Sequence, residues 1–403
     1  MLARRQFLGA AAASVALAKI TGAQAAATKS NIAQLNSAAG DLAGAMPRGA
    51  DGRLARLATL NLESLQDFTL GFRLMYGKRL YAASQEAFAR LLAKEKLDPT
   101  TPMSGQDVAE LAEEDPAITL AARAWLANQQ VTWKTLQDHF HQYSDHYLDE
   151  MEAADKSGPG TLELAPTMSI PNYARHEIHI MPGGYVGDPF AGYTYHYGTN
   201  SFYIAVIGHN EQDQVHKGTA ERLPLPQDGK VRRILDIGCG SGQLTVALKE
   251  RFPDAEVWGI DAGGPMVRYS HMRARRLGVG VNFAQRLAED SKFPDNYFDL
   301  VTSYIVHHEL PQEVTRKVID EAHRVTRPGG VFYPVDFNSG GAKAPPRQMF
   351  SRWWDHRWNN EVWSFEYHAI NFTDEIAQRG FTMVKNAKAA LPGFGIRHAI
   401  KSV

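Results

Sequence analysis

The stretch "ILDIGCGSG" at 234–242 places Gly238, Gly240 and Gly242 at alternate positions behind an apolar run that ends in Asp236. Such a run reads as a buried strand, and glycine at these sites lets the chain turn sharply and approach a ligand without a Cβ in the way. A dinucleotide turn would read G-x-G-x-x-G with pyrophosphate at the helix N-terminus, so G-x-G-x-G with an acid two residues upstream disfavours that chemistry. Three further sets could act on a substrate. His307 and His308, in "SYIVHHELP", follow a second apolar run, where an imidazole could serve as general base. His176 and His179 in "RHEIHI", with Tyr193, Tyr195 and His196, could recognise substrate. With Glu177 or Asp188 they also have metal-ligand types, but no established ligand spacing, so no metal is assigned. Trp353 and Trp354 open an aromatic segment that also holds Trp358 and Trp363. Its rings could wall a planar or apolar substrate, hold a cation on their faces, or simply pack.

The glycine stretch resembles the first motif of class I S-adenosylmethionine-dependent methyltransferases. The resemblance continues through "VWGID" at 257–261 and Met266, "RLAEDSKFPDNYFDLV" at 286–301, and "EAHRVTRPGGVFYPVDF" at 321–337. It covers about 231–340 and implies S-adenosyl-L-methionine as cofactor. By position it implies that Gly238, Gly240 and Gly242 border the methionine part, with Asp236 ordering the loop or meeting the amino group. Asp261 would take the ribose hydroxyls, Ala262 and Met266 would pack on the adenine, Ala288 and Glu289 would line its edge, and Ser303 would complete the site. Two departures stand out: Leu287 replaces the aspartate common in the family, and Gly263 and Gly264 replace helix-capping residues, which would loosen that loop. Methyl transfer needs an in-line nucleophile, exclusion of water and, for a protonated nucleophile, a base. His307 or His308 would be that base, and His176, His179, Tyr195, Trp353 and Trp354 would meet a small-molecule acceptor. The alternative is a protein of the same fold that binds S-adenosylmethionine without transferring the methyl. The chain has neither the asparagine-proline-proline-aromatic motif of enzymes acting on exocyclic or amide nitrogen nor the cysteines of an arsenic methyltransferase.

Strand-like runs at 232–238, 255–261, 281–285, 298–305 and 330–337 alternate with helical patterns, the signature of a doubly wound α/β fold. Two closing extended runs, "FTMVKNAKA" and "GFGIRHAIKSV", read as an antiparallel hairpin at the sheet edge, so a mostly parallel, Rossmann-like sheet of seven strands is expected. Ahead of it, Ile118, Ala122, Trp125, Gln129, Trp133, Leu136, Phe140, Tyr143, Tyr147 and Met151 recur every three or four residues. They predict one long amphipathic helix, or two in line, started by Asp115-Pro116 and stopped by "KSGPG" at 156–160. The stretches 54–75 and 84–94 also read as helical. The divisions are therefore a helical domain over 26–170, an aromatic and histidine-rich connecting segment over 171–224 whose tyrosines and glycines at 171–203 suggest irregular backbone, and a methyltransferase-like domain over 225–403 with an aromatic insertion at 343–370.

With 43 basic against 44 acidic residues, a net charge of -1 gives no nucleic-acid surface. The cluster Arg268, Arg273, Arg275 and Arg276 reads as a solvated helix face. Cys239 is the single cysteine, which rules out an intramolecular disulfide and a cysteine-based metal cluster. Residues 1–25 resemble a twin-arginine signal peptide: Arg4-Arg5, Phe7-Leu8, an alanine-rich run and Ala23-Gln24-Ala25. The run is too short and weakly apolar for stable membrane insertion. Export by the twin-arginine machinery to the periplasm is expected, with a cytoplasmic location as the alternative.

Overall fold

A computed structural model describes residues 48–207 and 212–402. The signal-like segment at 1–25, and the start of the helical region up to residue 47, lie outside the described residues. A short antiparallel pair, β1 (Ala50–Asp51) and β2 (Leu54–Ala55), comes first. Helices Leu60–Met75 and Tyr81–Lys94 follow, joined by a π turn. Helix Gly105–Ala112 opens on a reciprocal cap between Ser104 and Asp107.

The long stripe forms two successive helices, Pro116–Gln142 and Ser144–Asp155, and the first starts where the sequence indicates. Asp115 Oδ1 accepts hydrogen bonds from the amides of Ala117 and Ile118 at 2.9 and 3.1 Å, which satisfies two otherwise orphaned donors. Ile118, Trp133, Leu136, Phe140, Tyr147 and Met151 are buried along one face. Gln129, the polar break in that stripe, is buried as well.

The main sheet is built from β3 (Thr161–Glu163), β4 (Arg233–Ile237), β5 (Glu256–Asp261), β6 (Asn282–Gln285), β7 (Phe298–Tyr304), β8 (Thr326–Val335), β9 (Phe381–Met383) and β10 (Ala399–Lys401). Its order is β3-β6-β5-β4-β7-β8-β10-β9. Strands β3 to β8 pair in parallel, whereas β10 runs antiparallel to both β8 and β9. Seven strands were expected, and the described residues place eight in this sheet. The additional edge strand is β3, three residues long, too short for an alternating pattern to announce it. The closing antiparallel hairpin forms at the sheet edge as expected, with strands shorter than their apolar runs and β10 seated between β8 and β9.

Side chains alternate across the strands as a two-residue period requires. Ile234 joins Val257, Phe283 and Leu300 on one face, while Leu235 and Ile237 join Ile260, Val301 and Phe332 on the other. Helix Gln312–Val325 covers the second face and helices Gln243–Arg251 and Gly264–Arg276 cover the first. The chain therefore winds in opposite directions from β4 and β7, which opens a crevice at their carboxyl ends.

Two expectations about the linking region change. The irregular backbone expected through 171–203 ends at Phe190, because Ala191–Ile207 is an α-helix. Gly198 sits where a Cβ would lie 2.0 Å from Trp133 Cζ3, and one on Gly192 would lie 2.3 Å from Tyr269 Cβ. These glycines permit close helix packing. The arginine face is solvated only in part: Arg276 is exposed beside Glu150 and Arg275 is half-buried, whereas Arg268 pairs with Asp155 at 2.6 Å and buried Arg273 pairs with Asp213. Gly49–Val403 accordingly form one compact unit, and 222–230 connects parts of it. Among the described residues no helix is long and apolar enough to cross a membrane.

Candidate active site

The glycine turn after β4 folds against the end of β5. Gly238, Gly240 and Gly242 have φ of 66°, 52° and 72°, the left-handed region that glycine enters without steric cost. The amide of Gly240 donates to Asp261 Oδ2 at 3.1 Å and that of Gly263 donates to Asp261 Oδ1 at 2.8 Å. Burial pushes the Asp261 carboxyl up to about 6, against the pull of those two amides. The loop after Asp261 is thus tied down, contrary to the loosening expected from Gly263 and Gly264. A Cβ on Gly263 would lie 2.6 Å from the carbonyl oxygen of Tyr185, so glycine is required there by close approach.

A cleft lies over this floor, with about 880 Å³ of space when its open mouth is included. Gly238, Gly240, Asp261, Ala262, Met266 and Ala288 line it, joined by His176 and Tyr195. These are the sequence-indicated residues that the fold brings together. Asp236, Gly242, Glu289 and Ser303 stand behind the lining. Asp236 accepts from Thr245 Oγ1 at 2.7 Å, and burial pushes its carboxyl up to about 7. It therefore orders the loop through Oδ2, while its buried Oδ1 has no protein partner. A Cβ on Gly242 would lie 2.8 Å from Ser270 Cβ, so this glycine serves packing. Glu289 receives the Tyr173 hydroxyl at 2.5 Å, and Tyr173 itself reaches the cleft.

The two histidines expected as bases are not in the cleft. His307 is fully buried, its Nε2 is 3.2 Å from Ser303 Oγ, and its ring packs 4.5 Å from that of Phe372. Burial lowers it to about 4, so it is neutral at physiological pH. His308 is also buried, with Nδ1 2.9 Å from Asp336 Oδ1. Burial opposes its charge, but the Asp336 carboxylate outweighs this and raises it to about 9. A fully buried, ion-paired imidazolium is structural.

The next residue is the one that faces the cleft. Glu309 lines it, with Oε1 3.5 Å from His179 Nε2, 3.5 Å from the Tyr185 hydroxyl and 4.0 Å from His308 Nε2. His179 stands behind Glu309, and its Nδ1 is 2.8 Å from Glu361 Oε1. His176 Nδ1 is 2.9 Å from the Tyr173 carbonyl oxygen, and its Nε2 has no protein partner.

Trp353 and Trp354 do not reach the cleft either. Trp353 packs with Phe350 and Phe365 against Phe88 and Val108 of the helical region, and Trp354 meets Trp125 edge-on at 5.1 Å. The insertion docks the helices and sends a different residue, Glu361, toward the site. Sequence reasoning missed Glu309, Tyr173, Tyr185 and Tyr304 as lining residues. Glu309, adjacent to the histidine pair, and Tyr173 and Tyr185, inside the tyrosine-rich segment, carried a signal in their positions. Among the described residues no group of three or more histidine, cysteine, aspartate or glutamate side chains is placed to hold a metal.

An open α/β sheet with a glycine turn and a carboxylate at the carboxyl ends of adjacent strands defines a Rossmann-like nucleotide-binding architecture. Residues 234–330 match the family model described as a methyltransferase domain. The chain is 35% identical over 119 residues to the demethylmenaquinone methyltransferase of Thermus thermophilus, covering 30% of this chain and 51% of that protein. It is 30% identical over 159 residues to the fatty-acid O-methyltransferase of Mycolicibacterium smegmatis, covering 40% and 53% respectively. The chain spans about half the length of these relatives. Phosphoethanolamine N-methyltransferase 2 of Haemonchus contortus, solved with S-adenosylhomocysteine, aligns at 20% identity over 49% of this chain and 45% of that one, with a TM-score of 0.36.

Proposed function

We propose that this protein is an S-adenosylmethionine-dependent methyltransferase acting on a small organic acceptor. The observation that carries the reading is Asp261, whose carboxylate is aimed by the Gly240 and Gly263 amides at the floor of the cleft. Two backbone donors use one lone pair on each oxygen and leave the others to accept from vicinal hydroxyls, the bonds a ribose offers. Gly238 and Gly240 leave the adjacent floor without side chains, and Ala262, Met266 and Ala288 supply an apolar wall for a flat base.

When bound, the cofactor supplies a methyl group already activated by its sulfonium. The protein's tasks are then to align the acceptor, exclude water and receive a proton. Tyr173, Ile178, Tyr185, Val186 and Leu310 make much of the remaining wall apolar or aromatic, which favours an acceptor with an apolar body. Arg286, a cation at the cleft, is committed to Glu163 at 2.6 Å and to the carbonyl of Ser291 at 2.7 Å, which disfavours an anionic headgroup. Glu309 is the carboxylate placed to take the proton from an O–H or N–H nucleophile.

The test is transfer of radiolabelled methyl from S-adenosyl-L-methionine to a panel of neutral phenols, quinols and amines, with Glu309→Gln as the control. Labelled product from wild type that falls at least about a hundredfold in the variant supports the reading. Cofactor binding with no transfer across the panel would favour a binding protein. We further propose export by the twin-arginine route, on the strength of Arg4, Arg5 and the Ala23-Gln24-Ala25 exit. A mature N-terminus near Ala26 outside the inner membrane supports it, and an intact Met1 in the cytoplasm contradicts it.

A further inference from the structure

Residues 172–188 cross the carboxyl ends of the sheet strands and supply Tyr173, Ala174, His176, Ile178, Tyr185 and Val186 to the cleft wall. Tyr173 is tied to Glu289 beyond β6, the Tyr185 carbonyl lies against Gly263 beyond β5, and His179 stands beside Glu309 beyond β7. This strap has only two three-residue 3-10 turns, Asn172–Ala174 and Ile178–Ile180, so side chains from other elements must hold it in place. They converge on His179.

The backbone of His179 has φ 52°, a conformation a non-glycine residue keeps only where its surroundings enforce it. Its carbonyl accepts from Gln129 Nε2 at 2.7 Å and from Trp133 Nε1 at 2.9 Å. Its ring lies between Glu361, 2.8 Å from Nδ1, and Glu309, 3.5 Å from Nε2. Gln129 also donates to Asn359 Oδ1 at 2.7 Å, and Asn360 Nδ2 donates to the carbonyl of Glu177 at 2.7 Å. One histidine thus joins the long helix, the aromatic insertion and the loop after β7. The strap has separate anchors at its ends, Tyr173 on Glu289 and Asp188 on Gln137 and His141, the latter two at 2.7 Å.

We propose that His179 is a positioning residue that latches the strap across the cofactor cleft, so that cofactor exchange requires the His179–Glu361 contact to open. The inference rests on the cofactor assigned above. Opening also draws buried Met181 away from Trp133 and Met266 and the Pro182 carbonyl away from Gln137; with both ends anchored elsewhere, that movement would swing Ile178 and Tyr185 off the cleft without unfolding the unit. The Glu361 side chain is only 7% exposed, so separation leaves a buried carboxylate without its counter-charge, which keeps the latch shut most of the time.

The experiment loads the full chain with tritiated S-adenosyl-L-methionine, chases with excess unlabelled cofactor, and follows retained label by rapid filtration. Wild type is compared with His179→Asn and Glu361→Gln. Asparagine tolerates the left-handed backbone and keeps the carbonyl that Gln129 and Trp133 hold, while removing the charge. Release should be at least about tenfold faster in each variant. The double variant should release no faster than the faster single one, as expected when both act through one contact. Lowered melting points with unchanged release would reduce His179 to a structural role and overturn the latch. Should His179→Asn fail to fold, Glu361→Gln decides the matter alone. Wild type that takes up no label overturns the cofactor assignment and the latch with it, whereas label bound and released equally by all three proteins overturns the latch only.

Discussion

The amide of Gly240 and the carboxylate of Asp261 meet at 3.1 Å, joining the turn after β4 to the end of β5. That bond aims the acid at the cleft and makes the two most chemically suggestive motifs of the sequence one surface. Asp261→Asn replaces one accepting oxygen with an NH2 group, so it loses either the Gly240 or the Gly263 contact and the ribose acceptor beside it. Affinity for S-adenosyl-L-methionine should fall at least about tenfold, equivalent to about 1.4 kcal/mol, and the amide left without its acceptor should lower stability by about 1–3 kcal/mol. Equilibrium dialysis against both proteins checks this.

The same carboxyl sets a pH dependence for binding. Burial raises it to about 6, and the protonated form cannot accept from both ribose hydroxyls. Cofactor affinity should be constant above about pH 7 and fall as pH drops through 6, toward tenfold per unit. Affinity titrated from pH 8 to 5 would show the bend, and a flat profile would mean that Asp261 does not face the ribose.

Asp336 and His308 form a buried ion pair with side chains 0% and 4% exposed. Asp336 also receives the amides of His307 at 2.7 Å and Phe337 at 2.7 Å. Asp336→Asn strands the charge on His308 and should cost about 3–5 kcal/mol in denaturant unfolding. The pair sets the pH profile of stability as well. His308 is raised from 6.5 to about 9, so its contribution is complete below 6.5 and is lost as pH rises through 9. Burial opposes the Asp336 charge, but His308 lowers it from 3.8 to about 2, so that contribution is complete above 3.8 and is lost as pH falls through 2. His307, lowered from 6.5 to about 4, must stay neutral, so the unfolded chain gains a proton the fold refuses as pH drops below 6.5. These three groups together place their combined optimum near pH 6.5; the His308–Asp336 part is read as the difference in denaturation midpoint between wild type and Asp336→Asn across pH 4 to 10, which should narrow as pH rises through 9.

Gly198→Ala should destabilise by about 1–3 kcal/mol through overpacking, because its Cβ would fall 2.0 Å from Trp133 Cζ3. Trp133 also donates to the His179 carbonyl, so the variant should in addition speed cofactor release. Paired denaturation and label-release measurements separate the two effects.

The parts of the fold that repeat a period were legible. Alternating and apolar runs located β4 to β8 to within a few residues, and three-or-four-residue steps located the helices from Pro116 to Asp155, cap included. Elements without a period were not. The helix Ala191–Ile207 carries glycines for close packing, which removes the polar face that would have marked it, and β3 is three residues long. Within the site, backbone-driven features were readable because glycine and aspartate at the ends of β4 and β5 have few alternatives. Side-chain roles depended on contacts far along the chain. His307 and His308 stand at the expected strand end, yet Asp336 and Phe372 draw them inward and leave Glu309 at the cleft. Trp353 and Trp354 have aromatic faces suited equally to ligand or protein, and Phe88 and Trp125 claimed them.

Whether Asp261 holds the cofactor is decided by calorimetric titration of S-adenosyl-L-methionine into wild type and Asp261→Asn at pH 7.5. One site per chain is expected, with a dissociation constant between about 1 μM and 1 mM, weakened at least about tenfold in the variant. No heat with wild type, or equal affinity in both proteins, would contradict it.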